Sequence, residues 1–293
     1  MIKAKALCMV PDIQTPEILP YPPIPAVLET QQAQPSSPVI GVSYSGIEGI
    51  LAQKQDFIIE SSGKQEAIPD YITNLALLLV QKDPLMKPFI RKLRQQYIEQ
   101  QKAFSFSLAA WSPAERKEIC EFFSEELCGI VGSVAFDRNH SILTGNLVLS
   151  TPARKFLTGE YMEIGVTELI RQAMEEVTNC QHIPYQLYRN VVVSTKDGYI
   201  KNEFDIVIEC QGLYYVVEVK SGVNFNSWDK PREIGKTYGI VPHRLLLVDS
   251  YLTEEKAGRI EHFCEYYVSN LEMEILKGKV IEMVGNDLRK EYA

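Results

Sequence analysis

Two strand-like runs joined by Gln211–Gly212 constrain the fold of this chain more than any other segment. The runs Phe204–Cys210 and Leu213–Lys220 are rich in β-branched and aromatic residues, and the two residues between them predict a tight hairpin turn. Counting outward from this turn places Asp205 opposite Glu218. The sequence therefore predicts a hairpin with two carboxylates facing each other near its open end.

The two faces of this hairpin differ in chemistry. Side chains alternate along a strand, so Glu218 and Lys220 share a face, and Asp205 joins them because directly opposed residues point the same way. The opposite face is apolar and carries Ile206, Ile208, Val217 and Val219. One side of the hairpin is thus suited to a core, and the other presents two acids and a lysine.

Two opposed carboxylates repel each other unless a cation lies between them. Carboxylate oxygens are the ligands that Mg²⁺ and Mn²⁺ prefer, so Asp205 and Glu218 predict a metal site, with the backbone carbonyl of Val219 as a further ligand. Lys220 lies close enough to interact with a phosphate oxygen or a water molecule. The simpler alternative is a surface hairpin with a Glu–Lys pair, since a Glu-x-Lys triplet alone is common by chance.

This pattern resembles the PD-(D/E)XK, or restriction-endonuclease-like, superfamily, although Phe204 stands where the motif has proline. It is most similar to the nuclease domain of CARF-linked CRISPR ancillary nucleases. The matching segments are Gly159-Glu160-Tyr161-Met162-Glu163, Asn202-Glu203-Phe204-Asp205 and Glu218-Val219-Lys220. The resemblance implies an α/β fold with a restriction-endonuclease-like mixed central sheet flanked by helices. It also implies cleavage of DNA or RNA with Mg²⁺ or Mn²⁺, in antiviral defence, with Asp205, Glu218 and Lys220 as catalytic residues.

Glu163 is a further candidate metal ligand. The segment from Thr158 to about Thr178 predicts a helix with one apolar stripe, and Glu163 falls inside that stripe whereas Glu168 falls outside it. A carboxylate on a core-facing stripe is costly unless a cation or hydrogen bonds satisfy it. In the PD-(D/E)XK superfamily, which this chain resembles, the helix before the motif strands often supplies a metal ligand. The alternative is that Glu163 serves the helix dipole in the first turn.

Two groups of basic residues are candidates for contact with nucleic acid. The first lies on a predicted helix over 229–238 and consists of Lys230, Arg232 and Lys236. The second lies on a predicted helix from Asp83 to about Lys102 and consists of Lys87, Arg91, Lys92 and Arg94. For both groups a solvated helix face is the alternative, and for the second group it is the simpler interpretation.

The chain divides into three predicted regions. Residues 1–40 are rich in proline, glutamine and serine and predict a disordered tail. Residues 41–150 predict a mostly helical N-terminal module, for which a winged-helix-like arrangement is one interpretation because helices precede a predicted hairpin over 131–149. Residues 151–293 predict the nuclease-like domain, whose order of helix, three strands, helix, strand and helix gives an α/β sheet.

Composition limits the remaining possibilities. The net charge of −8 argues against a protein that binds nucleic acids non-specifically over its whole surface, although a local basic surface suffices for a nuclease. No apolar run is long enough to span a membrane, and the six scattered cysteines form no C-x-x-C motif, which favours a reduced, cytoplasmic protein without structural zinc. We expect a nucleic-acid substrate, with a homodimer as an option. The alternative function is a non-catalytic nucleic-acid-binding or assembly protein that retains a nuclease fold.

Overall fold

The computed structural model describes residues 57–64, 68–127, 129–178, 183–195, 201–221 and 228–291. The predicted tail over 1–40 lies outside the described residues, as do residues 196–198, for which the sequence predicts a turn. None of the described helices is long and apolar enough to cross a membrane.

A six-stranded mixed sheet forms the centre of the fold, with the order β1-β5-β6-β7-β8-β9. The pairs from β1 to β7 are antiparallel, whereas β7–β8 and β8–β9 are parallel. The predicted α/β class with a mixed central sheet flanked by helices is therefore confirmed. The strands are β1 (Phe57–Lys64), β5 (Tyr185–Thr195), β6 (Lys201–Cys210), β7 (Leu213–Lys220), β8 (Leu245–Asp249) and β9 (Tyr267–Ser269).

Helices cover both faces of this sheet and enclose two hydrophobic cores. On one face, Ile206, Val217 and Val248 pack in a core with α5 and α8 that also includes α1 and α2. On the other face, Val207, Val216 and further strand residues pack against α6 and α7. The helices are α1 (Asp70–Gln81), α2 (Asp83–Ile98), α3 (Pro113–Glu121), α4 (Thr151–Lys155), α5 (Tyr161–Thr178), α6 (Asp229–Tyr238), α7 (Glu254–Cys264) and α8 (Met273–Glu291).

A smaller antiparallel sheet of three strands lies in the N-terminal half. Its order is β2-β4-β3, and it contains the hairpin that the sequence predicts over 131–149. Its strands are β2 (Ala103–Ser107), β3 (Val131–Phe136) and β4 (Ile142–Leu147). The predicted domain boundaries remain a prediction, but β1, from the same half of the chain, is paired with β5 of the central sheet.

The register of the motif hairpin is as predicted. β6 and β7 pair from Cys210–Leu213 to Ile206–Val217, which is the register counted from the turn. Both turn residues have positive φ, 52° for Gln211 and 72° for Gly212, as a type I′ hairpin turn requires. The local sequence therefore sets which side chains of the two strands share a face.

Two predicted helices end earlier than expected, and two helices, α4 and α8, are not predicted from the sequence. α2 ends at Ile98 rather than near Lys102, because Gln100 takes a left-handed conformation and β2 follows. The sequence also predicts a helix from Glu254 to about Asn270, but α7 ends at Cys264, because Glu265 has a φ of 62° and β9 begins two residues later. In both places a non-glycine residue with positive φ ends the helix, and the sequence pattern contains no glycine to mark the position.

Candidate active site

On β6, the side chains before and after Asp205 do not follow regular strand alternation between the two cores. Phe204 packs in the core beneath α6 and α7, whereas Ile206, two residues later, packs in the core beneath α5 and α8. Residues two apart on a regular strand share a face, so the alternation is broken between them. Opposite this point on β5, Asn190 has a φ of 51°, and its neighbours continue the β5–β6 ladder. Asp205 thus lies at a local irregularity of both strands.

This irregularity turns the Asp205 carboxylate toward β7. Its Oδ2 accepts a hydrogen bond from the backbone N–H of Val219 at 2.7 Å. The β6–β7 backbone ladder ends at the pair Ile206–Val217, one position before Asp205 would face Glu218. A side-chain oxygen therefore replaces the strand partner, and this fixes the carboxylate beside the end of β7.

Three oxygen atoms converge on the ammonium group of Lys220. Its Nζ lies 2.5 Å from Glu218 Oε1, 3.4 Å from Asp205 Oδ2 and 3.2 Å from the carbonyl oxygen of Val219. These are the three groups for which the sequence predicts a shared cation. The structure brings them together around one positive charge, supplied by the chain itself.

Glu218 is the most buried member of this group, with a side chain only 2% exposed. Its Oε1 also contacts the ammonium of Lys230 on α6. Its Oε2 is buried and has no hydrogen-bond partner within the described residues. Lys230 therefore contacts an acidic residue of the candidate site, whereas Arg232 and Lys236, the other two predicted nucleic-acid contacts, are exposed on α6.

Burial and the neighbouring charges raise the pKa values of Asp205 and Lys220. Burial raises the pKa of Asp205, and the Glu218 carboxylate raises it further, against the lowering effects of Lys220 and the Val219 N–H. Burial lowers the pKa of Lys220, but Asp205 and Glu218 together outweigh this, so its pKa is raised. The lysine therefore stays charged between the two acids, and a proton is held more readily by Asp205 than by an ordinary aspartate.

Glu163 approaches the site from α5, as the helical periodicity predicts. The start of this helix lies near the end of β7, because a side chain added at Gly159 would stand 3.6 Å from Ser221 Oγ. Burial raises the pKa of Glu163 to about 7, and the Asp205 and Glu203 carboxylates contribute in the same direction. The negative charge of Asp205 therefore acts on the Glu163 carboxyl group, but the role of Glu163 as a metal ligand remains a prediction.

A fourth acid near the site, Asp249, is not among the residues predicted from the sequence. Asp249 ends β8, pairs with Lys220 in the parallel β7–β8 ladder and is only 3% exposed. Burial raises the pKa of Asp249, and the positive charges of Lys256, Lys87 and Lys220 oppose this. The sequence signal is the polar Asp249-Ser250 pair directly after an apolar strand, a pattern that by itself predicts no more than the end of that strand.

The donor set suits a hard divalent cation. Among the described residues, no three His, Cys, Asp or Glu side chains already stand close enough together to hold a metal ion. However, two carboxylates and a backbone carbonyl surround Lys220 Nζ, and Glu218 Oε2 is a buried oxygen without a partner. All of these are oxygen donors of the kind that Mg²⁺ and Mn²⁺ bind, so the residues present fit such an ion if the lysine ammonium moves aside.

Comparisons with known proteins show the fold. No protein-family model matches the chain, and no curated protein matches it. Protein VC1899 from Vibrio cholerae matches with a TM-score of 0.51 and 16% identity, covering 77% of this chain and 57% of that one. Can2 from Sulfobacillus thermosulfidooxidans, solved in complex with cyclic tetra-adenylate, matches with a TM-score of 0.51 and 16% identity, covering 78% and 56%.

The chain spans little more than half the length of each of these two proteins. The matched share of this chain also exceeds residues 151–293, so the likeness reaches into the N-terminal half. At this identity the likeness concerns architecture alone. The chain has the same fold, over the matched part, as VC1899 and Can2.

Proposed function

We propose that this chain is a metal-dependent nuclease of the PD-(D/E)XK type that hydrolyses phosphodiester bonds of DNA or RNA. The observation that supports this most is the convergence of Asp205, Glu218 and the Val219 carbonyl on a single cationic group. A fold that resembles Can2 and the three sequence segments that resemble CRISPR ancillary nucleases point in the same direction. A CRISPR-linked setting is part of this proposal.

In this proposal Asp205, Glu218 and the Val219 carbonyl hold Mg²⁺ or Mn²⁺, and Glu163 joins them from α5. When bound, such an ion supplies Lewis-acid chemistry to a phosphodiester. Hydrolysis forms a bond between a water oxygen and phosphorus and breaks one P–O bond to a sugar. Negative charge accumulates on the phosphoryl oxygens as this happens.

The lysines have distinct parts in this mechanism. Lys220 Nζ lies among the same three oxygens, so with a cation held there its ammonium would be repelled toward the substrate, where it would face the phosphate and offset the developing negative charge. Lys230 keeps its contact with Glu218 Oε1 and holds that carboxylate in position. The burial of Glu218 keeps bulk water from screening these interactions.

A cleavage assay tests the proposal. Wild-type protein is incubated with labelled single- and double-stranded DNA and RNA, with Mn²⁺, with Mg²⁺ and with EDTA. We expect cleavage of at least one substrate with a metal ion and none with EDTA, and we expect Asp205→Asn to abolish it. Glu209→Gln is the matched control, because it removes one carboxylate from the same strand at a position that contacts Tyr188 rather than the site.

The same assay distinguishes the nuclease from the alternative function, a non-catalytic nucleic-acid-binding or assembly protein. If the wild type binds a nucleic acid but cuts none of the substrates with either metal ion, the chain is a binding module with a nuclease fold. If Asp205→Asn cuts as well as Glu209→Gln, the nuclease activity lies elsewhere and the assigned residues are wrong.

A further inference from the structure

A cavity of about 360 Å³ opens beside the candidate site, at the carboxyl ends of the parallel strands β7 and β8. Its walls come from these strand ends, from the start of α5 and from one face of α2. The polar residues of its lining include Lys87, Arg91, Arg94, Ser221, Ser250 and Tyr251, and also the carboxylate of Asp83, which is paired with Lys87. Crevices outside the carboxyl ends of strands are the usual ligand-binding places of open α/β sheets.

The cavity is lined by the residues that directly follow two site residues, although Lys220 and Asp249 themselves do not line it. Ser221 lines it and is the residue after Lys220, so their Cα atoms are about 3.8 Å apart. Ser250 lines it as well and follows Asp249, the ladder partner of Lys220. Lys87 Nζ contacts the backbone oxygen of Ser250, which ties α2 to the end of β8. A ligand in the cavity would therefore lie at the same ends of β7 and β8 at which the site residues are found.

The cavity is lined by positive charges in an acidic protein. Lys87 is already paired with Asp83 at 2.6 Å and lies 4.7 Å from the centre of the Tyr251 ring. Arg91 and Arg94 form no ion pair with an acid within the described part of the chain. Guanidinium groups bind phosphate oxygens through paired hydrogen bonds, and two of them on one wall suit an anionic ligand.

A buried hydroxyl adds a second observation that points to a ligand. Ser250 is only 7% exposed, and its Oγ is buried without a hydrogen-bond partner among the described residues. Such a group normally finds a partner, and a phosphate oxygen in the cavity would supply one once the Ser250 side chain turns toward the cavity. A merely solvated face of α2, the simpler interpretation from sequence, explains neither the cavity nor this hydroxyl.

We propose that this cavity is a subsite for a backbone phosphate of the nucleic-acid strand, held by Arg91 and Arg94 with the Ser250 hydroxyl. The inference rests on the proposed nuclease function and extends it, because it assigns substrate binding to α2 of the N-terminal half. It also distinguishes α2 from α6, whose Lys230 is engaged by Glu218.

The test measures binding apart from cleavage. In an Asp205→Asn background, fluorescence anisotropy follows fluorescein-labelled DNA and RNA, single- and double-stranded, over a series of salt concentrations. Arg91→Gln and Arg94→Gln are compared with Lys92→Gln, which removes one charge from the same helix. Lys92 does not line the cavity, and its ammonium lies 5.6 Å from the Phe106 ring centre.

We expect each arginine variant to bind about tenfold more weakly and to reduce the slope of log affinity against log salt by about 0.7 to 0.9. Lys92→Gln should match its parent. In the otherwise wild-type enzyme the arginine variants should raise KM and leave kcat nearly unchanged. Arg91 is exposed, so its variant keeps the test valid even if Arg94→Gln perturbs the fold.

The outcomes separate the two proposals. Arginine variants that bind like Lys92→Gln overturn the subsite, even if the wild type cuts its substrate. Loss of binding in the arginine variants of a protein that cuts nothing supports the subsite and overturns the nuclease function. A wild type that neither binds nor cuts any of the probes overturns both.

Discussion

Replacing Glu163 by glutamine gives a quantitative test of how the site is charged without metal. The raised pKa of Glu163, about 7 against an ordinary value of 4.5, means that the folded state holds a proton that the unfolded state has released. Stability therefore falls as pH rises from about 4.5 through about 7. This rise in the pKa of Glu163 makes the free energy of unfolding about 3 kcal/mol smaller at pH values above about 7.

A neutral glutamine at position 163 does not ionise, so the variant does not lose stability in this way as the pH rises. We expect Glu163→Gln to have nearly the wild-type free energy of unfolding at about pH 5 and to exceed it by up to about 3 kcal/mol at about pH 8. The assay is urea unfolding in EDTA, followed by circular dichroism at both pH values. The comparison is made between proteins at one pH, so groups that do not interact with Glu163 cancel. Asp205 does interact with it, and loss of the Glu163 charge also favours the ionised Asp205, which changes stability in the same direction.

Glu168→Gln is the matched control on the same helix. A hydrogen bond from Arg171 lowers the pKa of Glu168, so its contribution to stability is present above about pH 4.5 and lost as pH falls. This variant should be slightly less stable than wild type at about pH 8, by a few tenths of a kcal/mol. If both variants change stability in the same direction at about pH 8, Glu163 is not the strained carboxylate that we describe.

Three further outcomes follow from the contacts of the site and the core. Asp205→Asn should melt at a higher temperature than wild type in EDTA and lose the stabilisation by Mn²⁺, which melting curves with and without the ion would show. Lys230→Met should lower kcat by tenfold or more while Arg232→Gln on the same helix does not, in steady-state cleavage assays. Arg244→Met should destabilise the fold by about 3 kcal/mol in urea titration, because it leaves the buried Asp287 without its 2.7 Å partner.

The motif hairpin was predictable because its register depends on local chemistry. A two-residue turn and strict alternation determine the pairing of β6 with β7, and the structure has the predicted register from Cys210 to Ile206. The apolar stripe of α5 likewise predicted that Glu163 faces inward, because helical periodicity is a local property. Neither inference required knowledge of the remaining chain.

The contacts of the site with distant segments were not predictable. Lys230 lies 12 residues from Glu218, and Lys87 lies 163 residues from Ser250, yet both contacts help define the site. Helical periodicity shows that a lysine is on a polar face, but it does not show which carboxylate or carbonyl that face meets. The irregularity at Asp205 was also hidden, because the left-handed residue opposite it is Asn190 rather than a glycine.

The charges of the site explain why a lysine belongs two residues after Glu218. Without metal, Lys220 and Lys230 neutralise Asp205 and Glu218, which lets two carboxylates remain close in a poorly hydrated place. A divalent cation adds two positive charges to this balanced group. In the proposed nuclease, an ionised Glu163 and one backbone phosphate would together restore neutrality. Lys220 would then be the cation available to the phosphate, because the three oxygens around it are the groups that would hold the metal ion.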